Sequence, residues 1–285
     1  MGSAFFGQTI EASLFIAMGL SISAIALAAR LFKDCGIQNT KVAHLTLGAA
    51  VIDDILALVI FSLVLNLAET GSIELATLLF LLVKVVLFFT LVIIGGTKSA
   101  KHLNRLIYFG NKGFTVTLII ALMMGLIAEA IGLHMIMGAF MAGLFIKEEV
   151  LDQRVFEKIE DRIYGLAYGF FGPIFFASLA FSLDFTAIKT APWFLVSIIA
   201  VAIAGKVIGA GGTARMIGFK SIESWVIGLA MNNRGAVELI IASIGLEKGI
   251  IDETVFSILV LMAFGTTLFS VVSTPPLAKR MKALN

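Results

Sequence analysis

GAAVIDDILALVIF, residues 48–61, places two adjacent carboxylates, Asp53 and Asp54, at the centre of an apolar run that extends over about residues 42–67. A run of that length is enough to cross the hydrocarbon core of a bilayer as a helix. An aspartate side chain is too short to reach the interface from mid-span. Because an ionisable residue at that depth costs at least ~2.5 kcal/mol, the stretch predicts a membrane helix that carries a functional acidic site.

The rest of the chain has the composition of an integral membrane protein. Of its 285 residues, 59% are hydrophobic and 14% are charged, whereas a soluble domain has about 25% charged residues. This balance excludes a soluble globular domain and a disordered chain. A single cysteine, Cys35, excludes a disulfide framework and a cysteine-based metal site. We expect no nucleic-acid partner at a net charge of +2, and no cofactor.

Nine apolar segments are predicted to span the membrane as helices. They cover about residues 10–31, 42–67, 75–95, 113–132, 133–147, 166–183, 192–212, 222–246 and 254–276. With the N-terminus outside, the inner segments hold 16 of the 21 Lys and Arg residues and the outer loops hold only Lys189 and Lys248. The excess of positive charge predicts a cytoplasmic C-terminus. Residues 148–165 are predicted to form an amphipathic helix at the interface, and no cleavable signal peptide is expected.

A lysine also lies inside the apolar sequence. Lys206 stands near mid-span in AVAIAGKVIGAG, residues 200–211, where it needs a carboxylate partner. Asp53 or Asp54 is the expected partner; a snorkelling lysine and a neutral hydrogen-bonded aspartate pair are the structural alternatives. Adjacent helical residues point about 100° apart, so one aspartate can line an aqueous cavity while the other contacts a second helix. Such a site can exchange a proton for a hard monovalent cation.

Two of the predicted spans contain residues that interrupt a helix. GLSIS, residues 19–23, lies in the middle of the first span, and NNRG, residues 232–235, lies in the eighth. Two interrupted helices in corresponding positions indicate a binding site at the membrane midplane of an inverted-repeat transporter. Arg234 and Glu238 share one helix face at i,i+4 spacing, and a structural pair and a direct role in ion binding are equally open. Lys84 and Glu129 are expected to be structural.

Together these segments resemble the monovalent cation:proton antiporter-2 family, which are sodium/proton exchangers of the NhaA-like fold. The resemblance covers essentially the whole chain in order. The sequences that carry it are GAAVIDDILALVIF (48–61), HMIMGAFMAGLFI (134–146), GPIFFASLAFSLDF (172–185), Lys206 and NRGAVELIIA (233–242). The aspartate pair together with a membrane lysine is the specific part of the match.

The resemblance implies an all-α membrane protein with thirteen helices, of which this chain carries nine and lacks roughly the first four. It implies that Asp54 binds the ion and the proton, that Asp53 pairs with Lys206, and that the Ser23 hydroxyl belongs to the ion site. The supporting residues of the broken helices would be Ser21, Asn232, Asn233, Arg234 and Glu238. An Asp-Asp pair implies electrogenic exchange of Na⁺ or Li⁺ for protons, with Na⁺ bound at Asp54.

The resemblance also implies a domain plan and an assembly. Residues 1–74 would be the core-domain part of the first repeat, 75–112 a linker helix and cytoplasmic loop, 113–190 the dimerisation helices, and 191–285 the second repeat of the core. A homodimer in the inner (plasma) membrane of a prokaryote is expected, with membrane lipids, monovalent cations and protons as partners and no nucleotide-binding domain. The alternatives are a potassium/proton exchanger of the same family and a cation channel or sensor that does not exchange ions.

Overall fold

The structure is a computed structural model that describes residues 9–70, 79–80, 83–92, 94–95, 98, 113–146 and 153–284. All regular secondary structure among these residues is helical. The first seven helices are α1 (Ile10–Ser21), α2 (Ile25–Asp34), α3 (Lys41–Thr70), α4 (Val83–Val92), α5 (Gly113–Ala130), α6 (Met135–Phe145) and α7 (Gln153–Leu166). The other seven are α8 (Gly172–Phe181), α9 (Ala187–Thr190), α10 (Pro192–Lys206), α11 (Gly212–Met216), α12 (Ser221–Ala230), α13 (Ala236–Glu247) and α14 (Glu253–Ala283).

Six helical stretches of the described residues are long and apolar enough to cross a membrane. They are Ile10–Asp34, Lys41–Leu65, Gly113–Ala130, Val155–Phe181, Pro192–Met216 and Glu253–Ala283. Large apolar side chains such as Ile52, Leu122 and Phe264 are exposed on them, as expected of surfaces that contact lipid. The chain is therefore a multi-pass membrane protein.

The predicted count of nine spans is not reached by these criteria. Part of the 75–95 segment lies outside the described residues. The 133–147 segment contains α6, which has 11 residues, and the 222–246 segment is divided into α12 and α13. An interrupted segment can still cross a bilayer when other protein groups satisfy its free backbone, so nine crossings remain a prediction.

The chain divides into two compact units, Met1–Val64 with Ser182–Asn285, and Leu65–Phe181. In the first unit, α10 continues through a π-helical turn at Val207–Gly211 into α11. Glycines allow the turn to approach α12 closely. A Cβ atom on Gly211 would lie 2.9 Å from the Ser224 carbonyl oxygen, and one on Gly228 would lie 2.9 Å from Val207 Cα. Small residues at such contacts let membrane helices pack backbone to backbone.

In the second unit, α5 and α6 form a tight helical hairpin. Gly132 turns the chain with φ of 82°, a conformation that favours glycine. The Glu129 carboxylate accepts a hydrogen bond from the Met135 backbone N–H at 3.0 Å, at the start of α6. Gly138 packs directly on the Met124 carbonyl oxygen. Glu129 therefore has a helix-capping contact in this unit, in keeping with the structural role expected for it.

The amphipathic segment and the sixth predicted span form one helical stretch. α7 begins at Gln153 and passes through a π-helical turn, Ala167–Phe171, directly into α8. The sequence predicted an amphipathic helix at 148–165 and a separate span that begins at 166. No proline separates the two stretches, and Gly165 at the predicted boundary stays helical, so the helix does not stop there. Residues 148–152 lie outside the described residues.

Candidate functional site at two crossed helix breaks

The first break separates α1 from α2. Residues 22–24 leave the helical conformation, with φ/ψ of −73°/142° at Ile22 and −91°/104° at Ala24. The sequence placed the interruption at residues 19–23, and in the structure α1 persists to Ser21. Gly19 and Ser21 therefore remain helical, and the Ser21 hydroxyl donates to the Met18 carbonyl of its own helix at 2.7 Å.

The second break lies between α12 and α13 and contacts the first one directly. The Ala24 backbone N–H donates to the Asn233 carbonyl at 2.7 Å, and the Ser23 hydroxyl donates to the Met231 carbonyl at 2.9 Å. A Cβ atom on Gly235 would stand 2.7 Å from Ala24 Cβ. Only glycine allows the two backbones to come this close, so the two interrupted segments cross at Gly235.

Arg234 joins the two broken helices. Its Nη1 atom donates to the carbonyls of Gly19 (3.1 Å) and Ile22, and its Nη2 atom donates to the Leu20 carbonyl at 2.7 Å. The side chain is fully buried. These carbonyls end α1, where the helix dipole places partial negative charge. A cation contributed by the second broken helix therefore compensates the C-terminal end of the first.

Hydroxyl groups on α14 satisfy further backbone groups of the second break. Thr267 Oγ1 accepts from the Arg234 backbone N–H at 2.8 Å, and the Ser270 hydroxyl donates to the Leu229 carbonyl at 2.8 Å. Neither residue was predicted from the sequence. Ser270 belongs to a series of hydroxyl residues, Thr266, Ser270 and Thr274, at i,i+4 spacing in the last span, whereas nothing in the sequence distinguishes Thr267.

Lys206 and Asp53 form an ion pair between α10 and α3. Lys206 Nζ lies 2.9 Å from Asp53 Oδ2, and the two side chains are 12% and 22% exposed. The lysine is the last residue of α10, directly before the π-helical turn. Of the two aspartates that the sequence offered as partners, the structure brings Asp53 to the lysine.

Asp54 is turned away from that pair into the protein. It is 4% exposed, and its Oδ1 atom accepts no hydrogen bond. Electrostatic interactions connect it to both Asp53 and Lys206. Buried carboxylate oxygens are normally hydrogen-bonded. Because Asp54 Oδ1 has no such partner, it is free to accept a proton or a cation.

Other buried oxygens without hydrogen-bond partners lie in and after the second break. Asn232 and Asn233 donate through Nδ2 to the carbonyls of Gly228 and Ala230, while their Oδ1 atoms accept no bond. Neither carboxylate oxygen of Glu238 accepts a bond, although Oε2 lies 3.9 Å from Arg234 Nε. Within the described residues, no group of three or more His, Cys, Asp and Glu side chains is arranged to hold a metal ion.

A multi-pass helical protein with two crossed helix breaks and buried charges beside them has the architecture of a secondary transporter. The chain matches the family described as "Sodium/hydrogen exchanger, transmembrane" over residues 1–280. It therefore belongs to the sodium/hydrogen exchanger family, whose members are transporters and not enzymes.

Relatives come from bacteria and plants. The chain is 30% identical over 270 residues to the Na(+)/H(+)-K(+) antiporter GerN of Bacillus cereus, covering 94% of this chain and 67% of the relative. It is 33% identical over 272 residues to the Na(+)/H(+) antiporter NhaS4 of Synechocystis sp., covering 92% and 64%. For Cation/H(+) antiporter 15 of Arabidopsis thaliana, the identity is 31% over 259 residues, covering 89% and 31%. The chain thus spans about two thirds of the length of these bacterial relatives.

Replacing Arg234 with lysine is expected to destabilise the protein by about 2–4 kcal/mol, because the donors of an ammonium group all lie on one nitrogen and cannot reach the three carbonyls that two nitrogens of the guanidinium fork contact. The change should lower the melting temperature of the purified protein in detergent by about 5–10 °C. Arg215→Lys is the matched control, since Arg215 is exposed and donates only to the Phe219 carbonyl. Equal melting temperatures for the two variants would show that the hydrogen bonds from Arg234 to the carbonyls at the end of α1 contribute nothing to stability.

Proposed function

We propose that the chain exchanges Na⁺ or Li⁺ for protons across the membrane, with Asp54 as the residue that binds each in turn. The observation that carries the proposal is the buried Asp54 carboxylate, whose Oδ1 atom accepts no hydrogen bond, next to an aspartate that is already paired with Lys206. Membership of an exchanger family supports cation/proton antiport in general, and the names of the relatives point the same way.

The proposed cycle depends on competition for one carboxylate. In the inward-open state, deprotonated Asp54 binds the cation with help from the Ser23 hydroxyl and from carbonyls of the broken helices. The hydroxyl hydrogen of Ser23 is engaged by the Met231 carbonyl, which leaves the oxygen lone pairs for a cation. After the core moves, the cation leaves on the outside and Asp54 takes up a proton. Because neither ligand binds while the other is present, transport of one is coupled to transport of the other.

The Asp53–Lys206 pair has a separate role in the proposal. Entry of the cation would break the pair, and Lys206 would then release a proton. The lysine is mostly buried, at 12% exposure, where an ammonium group without its carboxylate partner is costly. At the inner face the site would lose two protons, one from Asp54 and one from Lys206, for each Na⁺ that enters. Both groups would take up a proton again at the outer face, so each cycle would move one net charge and the exchange would be electrogenic.

The domain plan and the assembly belong to the same proposal. Residues 1–74 and 191–285 would form the moving core, with 75–112 as linker and 113–190 as the dimerisation helices of a homodimer. The protein would reside in the inner membrane of a prokaryote with its C-terminus in the cytoplasm, as the distribution of positive charge favours. Exchange needs no cofactor in this scheme, since the transported ions supply the chemistry.

Potassium/proton exchange is the second candidate. One relative is named an Na(+)/H(+)-K(+) antiporter. The resemblance implies that an Asp-Asp pair, here Asp53 and Asp54, favours sodium over potassium. A cation channel or sensor that does not exchange ions would use the same acidic site without proton coupling.

Replacing Asp54 with asparagine is expected to abolish coupled exchange. In everted vesicles from antiporter-deficient cells, Na⁺ and Li⁺ should dequench a pH-gradient dye for the unmodified chain, K⁺ should dequench it much less, and the variant should give no signal. Asp161→Asn, at an exposed position of α7, is the control and should keep full activity. Residual cation-driven proton movement in a well-expressed Asp54→Asn variant would contradict the proposal.

The single cysteine reports the proposed orientation. Cys35 lies between the first two spans, on the side assigned to the cytoplasm, so a membrane-impermeant maleimide should label it in everted vesicles and leave it unlabelled in right-side-out vesicles. Partial burial is the main cause that raises the pKa of the Cys35 thiol, and the negative charge of Asp34 raises it further. The thiolate is the reactive form, so labelling at neutral pH should be slow and should accelerate as the pH rises. Labelling from the outside would reverse the topology.

A further inference from the structure

Glu238 is a buried carboxylate that the proposed cycle does not use. It lies in the first turn of α13, is 1% exposed, and accepts no hydrogen bond at either oxygen. Its closest charged partner is Arg234, with 3.9 Å between Oε2 and Nε. Arg234 already donates through its other nitrogens to the carbonyls that end α1, so hydrogen bonding alone does not explain a glutamate at this position.

Two cations act on Glu238. Arg234, in the helix break, and Lys206, on α10, both attract the Glu238 carboxylate electrostatically. The neighbouring helices add little, because α14 has no ionisable residue between Glu253 and Lys279 and α1 has only Glu11, at its distant end. The electrostatic state of this carboxylate is therefore tied to the same lysine that pairs with Asp53.

The charges in this region do not cancel. Three carboxylates, on Asp53, Asp54 and Glu238, stand against two cations, on Lys206 and Arg234, and electrostatic interactions connect the five groups. Before an ion enters, while Lys206 keeps its proton, the cluster carries a net charge of −1, and the first monovalent cation or proton to reach Asp54 brings it to zero. When that ion is Na⁺, the release of the Lys206 proton returns the net charge to −1. With Glu238 neutral, the cluster would already be at zero while Asp54 is empty.

We propose that Glu238 stays ionised during transport and supplies the excess negative charge that draws one cation, either Na⁺ or a proton, to Asp54. Glu238 does not touch the transported ion; it is a positioning residue that acts through the electric field of the cluster. This inference rests on the proposed function. It assigns the strength of cation binding to a residue on a different helix from the binding aspartate.

The Glu238→Gln variant tests the proposal because it keeps the size of the side chain and removes its charge. In everted vesicles the KM for Na⁺ at alkaline pH is expected to rise about tenfold, since a unit charge acts strongly in a water-poor interior. Proton binding should weaken by the same factor. The pH at which competition by protons doubles the KM for Na⁺ should therefore fall by about one unit. A purely structural role would lower the maximal rate or the amount of protein and leave this pH unchanged.

Two further variants keep the test decisive. Glu247→Gln, at the exposed end of the same helix, should leave both values unchanged. Glu238→Asp keeps the charge and should hold the KM within about threefold of the unmodified value. If Glu238→Gln does not reach the membrane, a tenfold loss of affinity in Glu238→Asp would overturn the proposal, because the charge would then not be sufficient.

The result for the unmodified chain separates the two levels of inference. An unmodified chain without cation/proton exchange would overturn the proposed function itself. An unmodified chain that exchanges ions, together with a Glu238→Gln variant that keeps its KM and its pH dependence, would overturn only the role of Glu238.

Discussion

A helix that stops inside a membrane leaves backbone groups without hydrogen-bond partners, and lipid cannot supply them. Backbone groups of the two breaks, at residues 22–24 and 231–235, form a hydrogen bond with one another. Side chains form further hydrogen bonds with both breaks. Arg234 donates hydrogen bonds to three carbonyls at the end of α1, and the Ser23 hydroxyl donates to the Met231 carbonyl. Hydroxyl groups of α14 bond to the Arg234 backbone N–H and to the Leu229 carbonyl at the second break. The proposed ion site depends on this network, which holds the two interrupted helices together.

The same network explains why the charges occur where they do. An arginine is suited to the crossing because its planar fork binds several carbonyls at once, but its charge then needs compensation. Glu238 lies one helical turn further along the chain and faces it. Lys206 is held by Asp53 on another helix, which leaves Asp54 as the carboxylate without a cation of its own. On this account, the protein provides a place for one transported cation by leaving one negative charge unmatched.

Sequence reasoning predicted the parts of this arrangement that depend on composition and spacing. Apolar length predicted membrane helices, and ionisable residues at mid-span marked Asp53, Asp54, Lys206 and Arg234. It misplaced the first interruption by a few residues, because Gly19 and Ser21 weaken a helix without ending it. It missed Thr267 and Ser270 because a hydroxyl group can bond within its own helix, as Ser21 does, and only the crossing of two distant segments shows which backbone groups need a partner. Helix α7 continues into α8 because no proline lies between them and Gly165 stays helical.

The central claim is that a proton and a cation compete for Asp54, and binding to the purified protein measures this directly. Na⁺ would be added to the detergent-solubilised chain in weakly buffered solution near neutral pH, with a pH indicator for released protons and calorimetry for bound Na⁺. The account predicts at least one proton released for each Na⁺ bound, and neither signal for Asp54→Asn. Binding of Na⁺ without proton release would contradict it.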